Sequence, residues 1–209
     1  MRGVRRDRSK ERIVASALDV KSWLAREPTA EEARPARCPA CGEASRPAGR
    51  RLGLWGHGLR ERQQRGPLEV GVPAGVVVIR ERRYRCQSCR ALIAVVPRGM
   101  LRGRHYSAAA IGLALALFGV AGMSLAAVRR RVSPWSVVGE TARTTWLTVR
   151  RWVRAIREGR LFGKIRATPA TWSARRVAER AAMTLEALAP PTLAGEITAR
   201  VFAGAVLAS

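Results

Sequence analysis

Two CxxC pairs constrain this chain more than any other feature, because they contain all four of its cysteines. Cys38-Pro39-Ala40-Cys41-Gly42 and Cys86-Gln87-Ser88-Cys89 are each a tight turn that aims both sulfurs at one point. Together they supply four thiolates at the spacing tetrahedral zinc requires. Gly42 suits the reversal of the first turn. With every coordination position filled by protein, no site stays open for a catalytic water, so the zinc expected here is structural. A CxxC redox pair and plain buried thiols are the competing readings. His57 is a spare nitrogen that a complete sulfur shell does not need.

Around the pairs, the chain changes character several times. Residues 1–36 read as a basic arm followed by a helix from Lys10 to about Arg26, where Ile13, Val14, Ala17, Leu18 and Leu24 recur at helical spacing. Pro28 ends it, and Thr29-Ala30-Glu31-Glu32 is suited to capping another turn. Residues 37–105 read as a zinc ribbon, with strands over Leu52–Gln63, from Val76 into the second cysteine pair, and over Ala91–Val96. A β module this small has little core of its own and needs a staple. Residues 106–166 turn helical: Ser107–Phe118, a break at Gly119–Gly122, Ser124 to about Val132, and Thr145–Glu158. Residues 167–209 add helices over Ser173–Leu188 and Leu193–Leu207. The fold class is therefore α+β.

Charge narrows the partner. The formal net charge is +24 over 209 residues, almost all of it from arginine, while 47% of residues are apolar. A folded chain with that excess points to a polyanion, whose condensed counterions are released as phosphates are neutralised. On the Thr145–Glu158 helix, Trp146, Val149, Trp152, Val153 and Ile156 share one arc. Arg150, Arg151, Arg154 and Arg157 form another, which Arg143 extends. Thr144 or Thr145 is placed to cap it. Such a helix, following a shorter one, is how a helix-turn-helix presents its reading helix to a major groove. A merely solvated face would show carboxylate partners, and only Glu140 and Glu158 lie near.

The uncharged run from Ser107 to Val128 is long enough to span a bilayer. Its glycines, serines and alanines, with arginines on both sides, favour two core helices instead. The basic start reaches Asp19 and Lys21 before any uncharged core of signal-peptide length, so export is not expected and the localisation predicted is cytoplasmic, at the nucleoid.

Catalysis has few groups to draw on. The only aspartates are Asp7 and Asp19, and the acids beyond Cys89 are Glu140, Glu158, Glu179, Glu186 and Glu196. That is a poor source for a two-metal nuclease site. No phosphate-cradling glycine motif or Ser/His/Asp arrangement is visible.

The order CPxCG, a hairpin with His57-Gly58 at its turn, VVVIRERRYRC into CxxC, a short strand ending in proline and then helices resembles a known family. It is similar to the N-terminal zinc ribbon of bacterial insertion-sequence transposases and to a related family of stand-alone bacterial zinc-ribbon domains. Thr145-Trp146-Leu147-Thr148-Val149-Arg150-Arg151-Trp152 matches the family's reading helix, and the resemblance covers roughly residues 38–158. It implies DNA recognition without the acidic catalytic domain, as in a truncated or domesticated relative.

The expectation is a non-catalytic protein in which Cys38, Cys41, Cys86 and Cys89 hold zinc. Double-stranded DNA is met by Arg143, Thr145, Thr148, Arg150, Arg151, Arg154 and Arg157, with Arg80, Arg82, Arg83 and Arg85 adding phosphate contacts. An RNA-binding ribbon and a protein-interaction module stay open as alternatives, and so does a homodimer. A membrane partner is not expected.

Overall fold

The computed structural model describes residues 11–136 and 146–209. The protein is a mixed α/β chain with one four-stranded sheet and six helices among the described residues. It divides into two compact units, residues 11–62 with 78–98 and residues 63–77 with 99–209.

The first unit holds most of the sheet, whose order is β1-β4-β3-β2: β1 Glu11–Asp19, β2 Leu54–Gly66, β3 Gly75–Cys86 and β4 Leu92–Arg98, with residues 63–66 and 75–77 counted in the second. β4 runs antiparallel to β3 and parallel to β1. A strand flanked on both sides should read as a continuous apolar run rather than an alternating one. The Leu92–Val96 segment does, and residues 93–97 are all buried. Pro97 cannot donate to the ladder, and it falls where the β1–β4 register shifts, between the Ala15–Val96 and Asp19–Arg98 pairs.

The helix expected from Lys10 to Arg26 does not form over most of that span. Residues 11–19 form β1, and only α1, Val20–Ala25, is helical. Along β1, Ser16 and Leu18 are half-buried while Ala15, Ala17 and Asp19 are exposed. That is period-two packing, and the apolar residues here fit it as well as they fit a helix. The edge of β4 then decides, since it offers β-branched Ile13 and Val14 a hydrogen-bonded partner that a solitary helix lacks. Asp19 ends the strand and caps α1 by accepting from the Ser22 N–H at 2.8 Å. Trp23 is buried and donates to the Arg80 carbonyl at 3.3 Å. The Thr29–Glu32 turn closes reciprocally, with bonds of 2.8 and 3.2 Å. The Thr29 backbone N–H and then the Arg26 guanidinium hold the Glu32 carboxyl down at about 2.

The second unit is helical: α2 Ala108–Gly119, α3 Leu125–Val132, α4 Leu147–Arg157, α5 Ala174–Glu186 and α6 Ile197–Leu207. α2 is buried on every side through Phe118 and packs against each of the other four. A helix apolar all round belongs in a core or a membrane. At 12 residues, this one is a core helix, and no helix among the described residues is long and apolar enough to cross a membrane. Its small residues permit close approach: a Cβ on Gly119 would stand 2.3 Å from the Glu179 amide nitrogen. Ser107, Ser124 and Ser173 cap α2, α3 and α5 as their sequences suggest. The helix expected from Leu193 begins only at Ile197, because Gly195 adopts φ +126°, outside the helical region.

Candidate metal centre and basic helix

The two CxxC turns are the same structure built twice. In the first, the Cys38 N–H donates to the Glu43 carbonyl at 2.8 Å and the Gly42 N–H to the Cys38 carbonyl at 2.9 Å. In the second, the Cys86 N–H donates to the Ala91 carbonyl at 3.0 Å and the Arg90 N–H to the Cys86 carbonyl at 3.1 Å. Each turn reverses through a left-handed residue directly after its second cysteine, Gly42 at φ 77° and Arg90 at φ 62°. Glycine takes that conformation freely, whereas arginine is strained in it. The sequence signal for the first turn was Gly42; no residue type announced the second. A further bond from the Gln87 N–H to the Gly53 carbonyl, 2.8 Å, ties the second turn to the residue that leads into β2.

These turns bring the four sulfurs together, all within 4.8 Å of one another. Cys38 Sγ lies 3.7 Å from Cys89 Sγ, and Cys41 Sγ lies 3.7 Å from Cys86 Sγ. A tetrahedral centre with metal–sulfur bonds of about 2.3 Å has sulfur–sulfur edges of about 3.8 Å, so the cluster has the size of a tetrathiolate metal site. Cys38 and Cys86 are buried, whereas Cys41 and Cys89 are exposed. His57 is not among the clustered ligands.

Without a metal the thiols compete for ionisation. Burial pushes Cys38 up. At Cys41 the Glu43 backbone N–H pulls down, but the neighbouring Cys89 sulfur, burial and the other thiols outweigh it and raise the group to about 12. Burial also acts upward on Cys86, yet the backbone N–H groups of Cys89 and Ser88 prevail, with a net value of about 7. The fold thus favours one thiolate and holds two partners protonated until a cation offsets the repulsion.

His57-Gly58, expected at a hairpin turn, lies inside β2 instead. Gly58 takes φ 85° there, so the dipeptide bends a long strand rather than reversing it. The ribbon arginines differ among themselves. Arg80 and Arg82 both meet Glu27, at 3.2 and 2.9 Å, and Arg82 also donates to the Pro28 carbonyl at 2.8 Å. Arg83 is half-buried and its Nε–H has no acceptor among the described residues, while Arg85 is exposed. Beneath them lies a buried carboxylate that sequence reasoning missed. Glu81 is fully buried and takes Arg60 at 2.6 Å and Arg62 at 3.3 Å; Arg60 also reaches Glu11 at 2.9 Å.

On α4 the two expected arcs are present. Trp146, Val149, Trp152, Val153 and Ile156 are buried, and Arg150, Arg151, Arg154 and Arg157 are exposed. Tyr106, Trp146 and Trp152 pack edge-to-face with centroids 5.2 to 5.9 Å apart. Arg157 donates to the Trp172 carbonyl. Arg150, Arg151 and Arg154 have no carboxylate partner among the described residues. Thr148 is half-buried in the first turn. The N-cap position falls on Trp146, which makes no side-chain cap bond. Arg143, Thr144 and Thr145 lie outside the described residues, as does most of the stretch joining α3 to α4 in the expected helix-turn-helix.

No family model matches the chain, and no curated protein or solved structure matches it either.

Proposed function

We propose that this protein is a non-catalytic, zinc-stapled nucleic-acid-binding protein whose preferred target is duplex DNA. The observation that carries the reading is α4. Three guanidinium groups, those of Arg150, Arg151 and Arg154, stand exposed on a helix whose opposite face is anchored by buried tryptophans. On an ordinary solvated helix such charges are spaced against carboxylates; here the described residues provide none. The net charge of +24 supports a polyanionic partner. Arg85 extends the basic surface of the sheet unit, while Arg80 and Arg82 are already engaged with Glu27.

Cys38, Cys41, Cys86 and Cys89 would hold the ion, and four sulfurs without nitrogen or oxygen favour zinc over harder cations. A saturated tetrathiolate shell supplies folding energy rather than Lewis-acid chemistry, which fits a binding protein. On this reading the sheet unit is a ribbon-like module, α3 and α4 act as a helix-turn-helix, and the protein is a transposase-like binder that works at the nucleoid.

Incubating the zinc-loaded protein with random duplex DNA at near-physiological salt, and sequencing what it retains, tests the proposal. An enriched motif is the expected result. Arg154→Ala should then weaken binding and reduce the dependence on salt by about one phosphate equivalent. Retention of nothing, or equal affinity and slope in Arg154→Ala, defeats the assignment of α4. Preferential retention of single-stranded RNA in a competition would overturn the choice of duplex DNA.

A further inference from the structure

In the helical unit, a cleft of about 290 Å³ opens beside the first turn of α4. Three arginines line it, Arg65, Arg104 and Arg151, together with His105 and Thr148. None of its lining side chains is acidic. Tyr106 and Trp152 form its wall, held by the edge-to-face aromatic cluster.

Like charges gather around a cleft at a cost, so each local detail matters. The loop carrying Arg104 and His105 is fixed to the strand carrying Arg65, whose N–H donates to the His105 carbonyl at 2.7 Å. Arg65 donates from one Nη to Gln63 Oε1 at 3.3 Å, but its buried Nε–H has no acceptor among the described residues, and leaving such a donor unmade costs about 1–3 kcal/mol. Its guanidinium also lies 5.7 Å from the Trp135 ring centre, which restricts its plane. Burial, and then the neighbouring Arg160, destabilise the charge on Arg104. Thr148 stands in the first turn of α4, whose N-cap residue Trp146 makes no side-chain cap bond among the described residues. An anion in the cleft would meet the three gathered guanidinium groups and the positive end of α4 together.

We propose that this cleft binds a phosphate group, gripped by Arg65, Arg104 and Arg151, with the hydroxyl of Thr148 as a further donor. Guanidinium forks match phosphate oxygens in pairs, and Tyr106 and Trp152 give the site one aromatic side. Arg151 belongs also to the exposed face of α4, so on the nucleic-acid reading the occupant is a backbone phosphate. The cleft itself does not depend on that reading, since a free phosphate would satisfy the same donors.

The test titrates the full-length, zinc-loaded protein with inorganic phosphate at low salt by calorimetry. Saturable binding is expected, weakened about tenfold or more in Arg104→Gln and in Arg151→Gln, as loss of a charge-assisted bond implies. Arg180→Gln, on the exposed surface of α5 outside the cleft, should bind like the wild type. If Arg104→Gln does not fold, Arg151→Gln decides, because its side chain is exposed and its loss leaves the core intact. Absence of saturable binding in the wild type, or equal weakening in Arg180→Gln, overturns the proposal. Adding a mixed-sequence duplex then identifies the source: displacement of phosphate supports a nucleic-acid backbone in the cleft, and co-binding supports a free phosphate ligand. A protein that retains no DNA in the random-duplex selection but still binds phosphate would lose the nucleic-acid reading and keep the cleft.

Discussion

In the helical unit, α2 is apolar on every side and packs against α3, α4, α5 and α6, so burial dominates cohesion. In the sheet unit several links between distant segments are polar or sulfur-based. The cysteine cluster joins residues 45 and 51 positions apart, and Arg60 ties Glu81 to Glu11. A large hydrophobic cluster, from Ala108 to Ala205, lies wholly in the helical unit. The contrast teaches that a strand-rich module with a modest core must replace missing burial by ligation and ion pairing, each of which responds to solution conditions that leave apolar packing unmoved.

The sharpest way to break that comparison is to take away the metal. Chelation, or Cys86→Ser, should abolish hydrogen-exchange protection in β3 and β4 while the α2 amides stay protected. Structural zinc is worth on the order of 10 kcal/mol in finger peptides, which makes this the largest effect expected. Sheet protection that survives chelation would mean burial suffices after all. The same titration carries a pH signature. Cys38 is raised and Cys41 stands at about 12, so both are protonated near neutrality and must lose their protons to bind. Loading metal at neutral pH should release about two protons from these two groups alone, and retention should fall as the pH drops. Metal uptake without proton release would contradict the protonated cluster.

Leu115→Ala tests the other side. Leu115 is fully buried in α2, and its truncation should cost about 2–5 kcal/mol in a denaturant melt of the helical signal. Metal content should be unaffected at concentrations of denaturant that unfold neither unit. Next comes Glu81→Gln. Removing one partner of a buried ion pair is strongly destabilising, but Arg60 and Arg62 keep some access to water. A loss of about 1–3 kcal/mol is expected, read as earlier release of metal on heating. An unchanged melt would remove ion pairing from the account of the sheet unit.

The smallest predicted effects oppose each other at matched positions. Arg90→Gly should stabilise by roughly 0.5–1 kcal/mol, since it relieves a left-handed arginine, whereas Gly42→Ala should destabilise by at least that much. Opposite signs in the two melts would support the equivalence of the two turns. Equal signs would refute it.

What could be read from the sequence follows from how local its causes are. The helix starts at Ser107, Ser124 and Ser173, the two faces of α4 and the cysteine framework each rest on residues within a few positions of one another, and each was legible. β1 was not, because Ile13, Val14 and Leu18 suit either period, and the choice was made by a strand some 80 residues on. Glu81 was invisible for a similar reason: within RERRYR it resembles any solvated acid until β2 places Arg60 and Arg62 against it. The phosphate cleft gathers side chains from three separate segments, and no local pattern could announce it. His57-Gly58 resembled a turn because the strand around it is longer than its glycines suggest.

The parallel pairing of β1 with β4 also bears on how the chain reaches its fold. β1 is the first described strand to be synthesised, yet its partner is the last strand of the sheet, with Ala17 and Arg98 bonded across 81 positions. Contacts of that separation form late, because loop closure must come before any reward. Until then Leu92–Val96 presents an unprotected, charge-free apolar edge, the kind of segment that recruits other copies of itself. β1 is thus a built-in protector of that edge, and aggregation during refolding should track how promptly it docks.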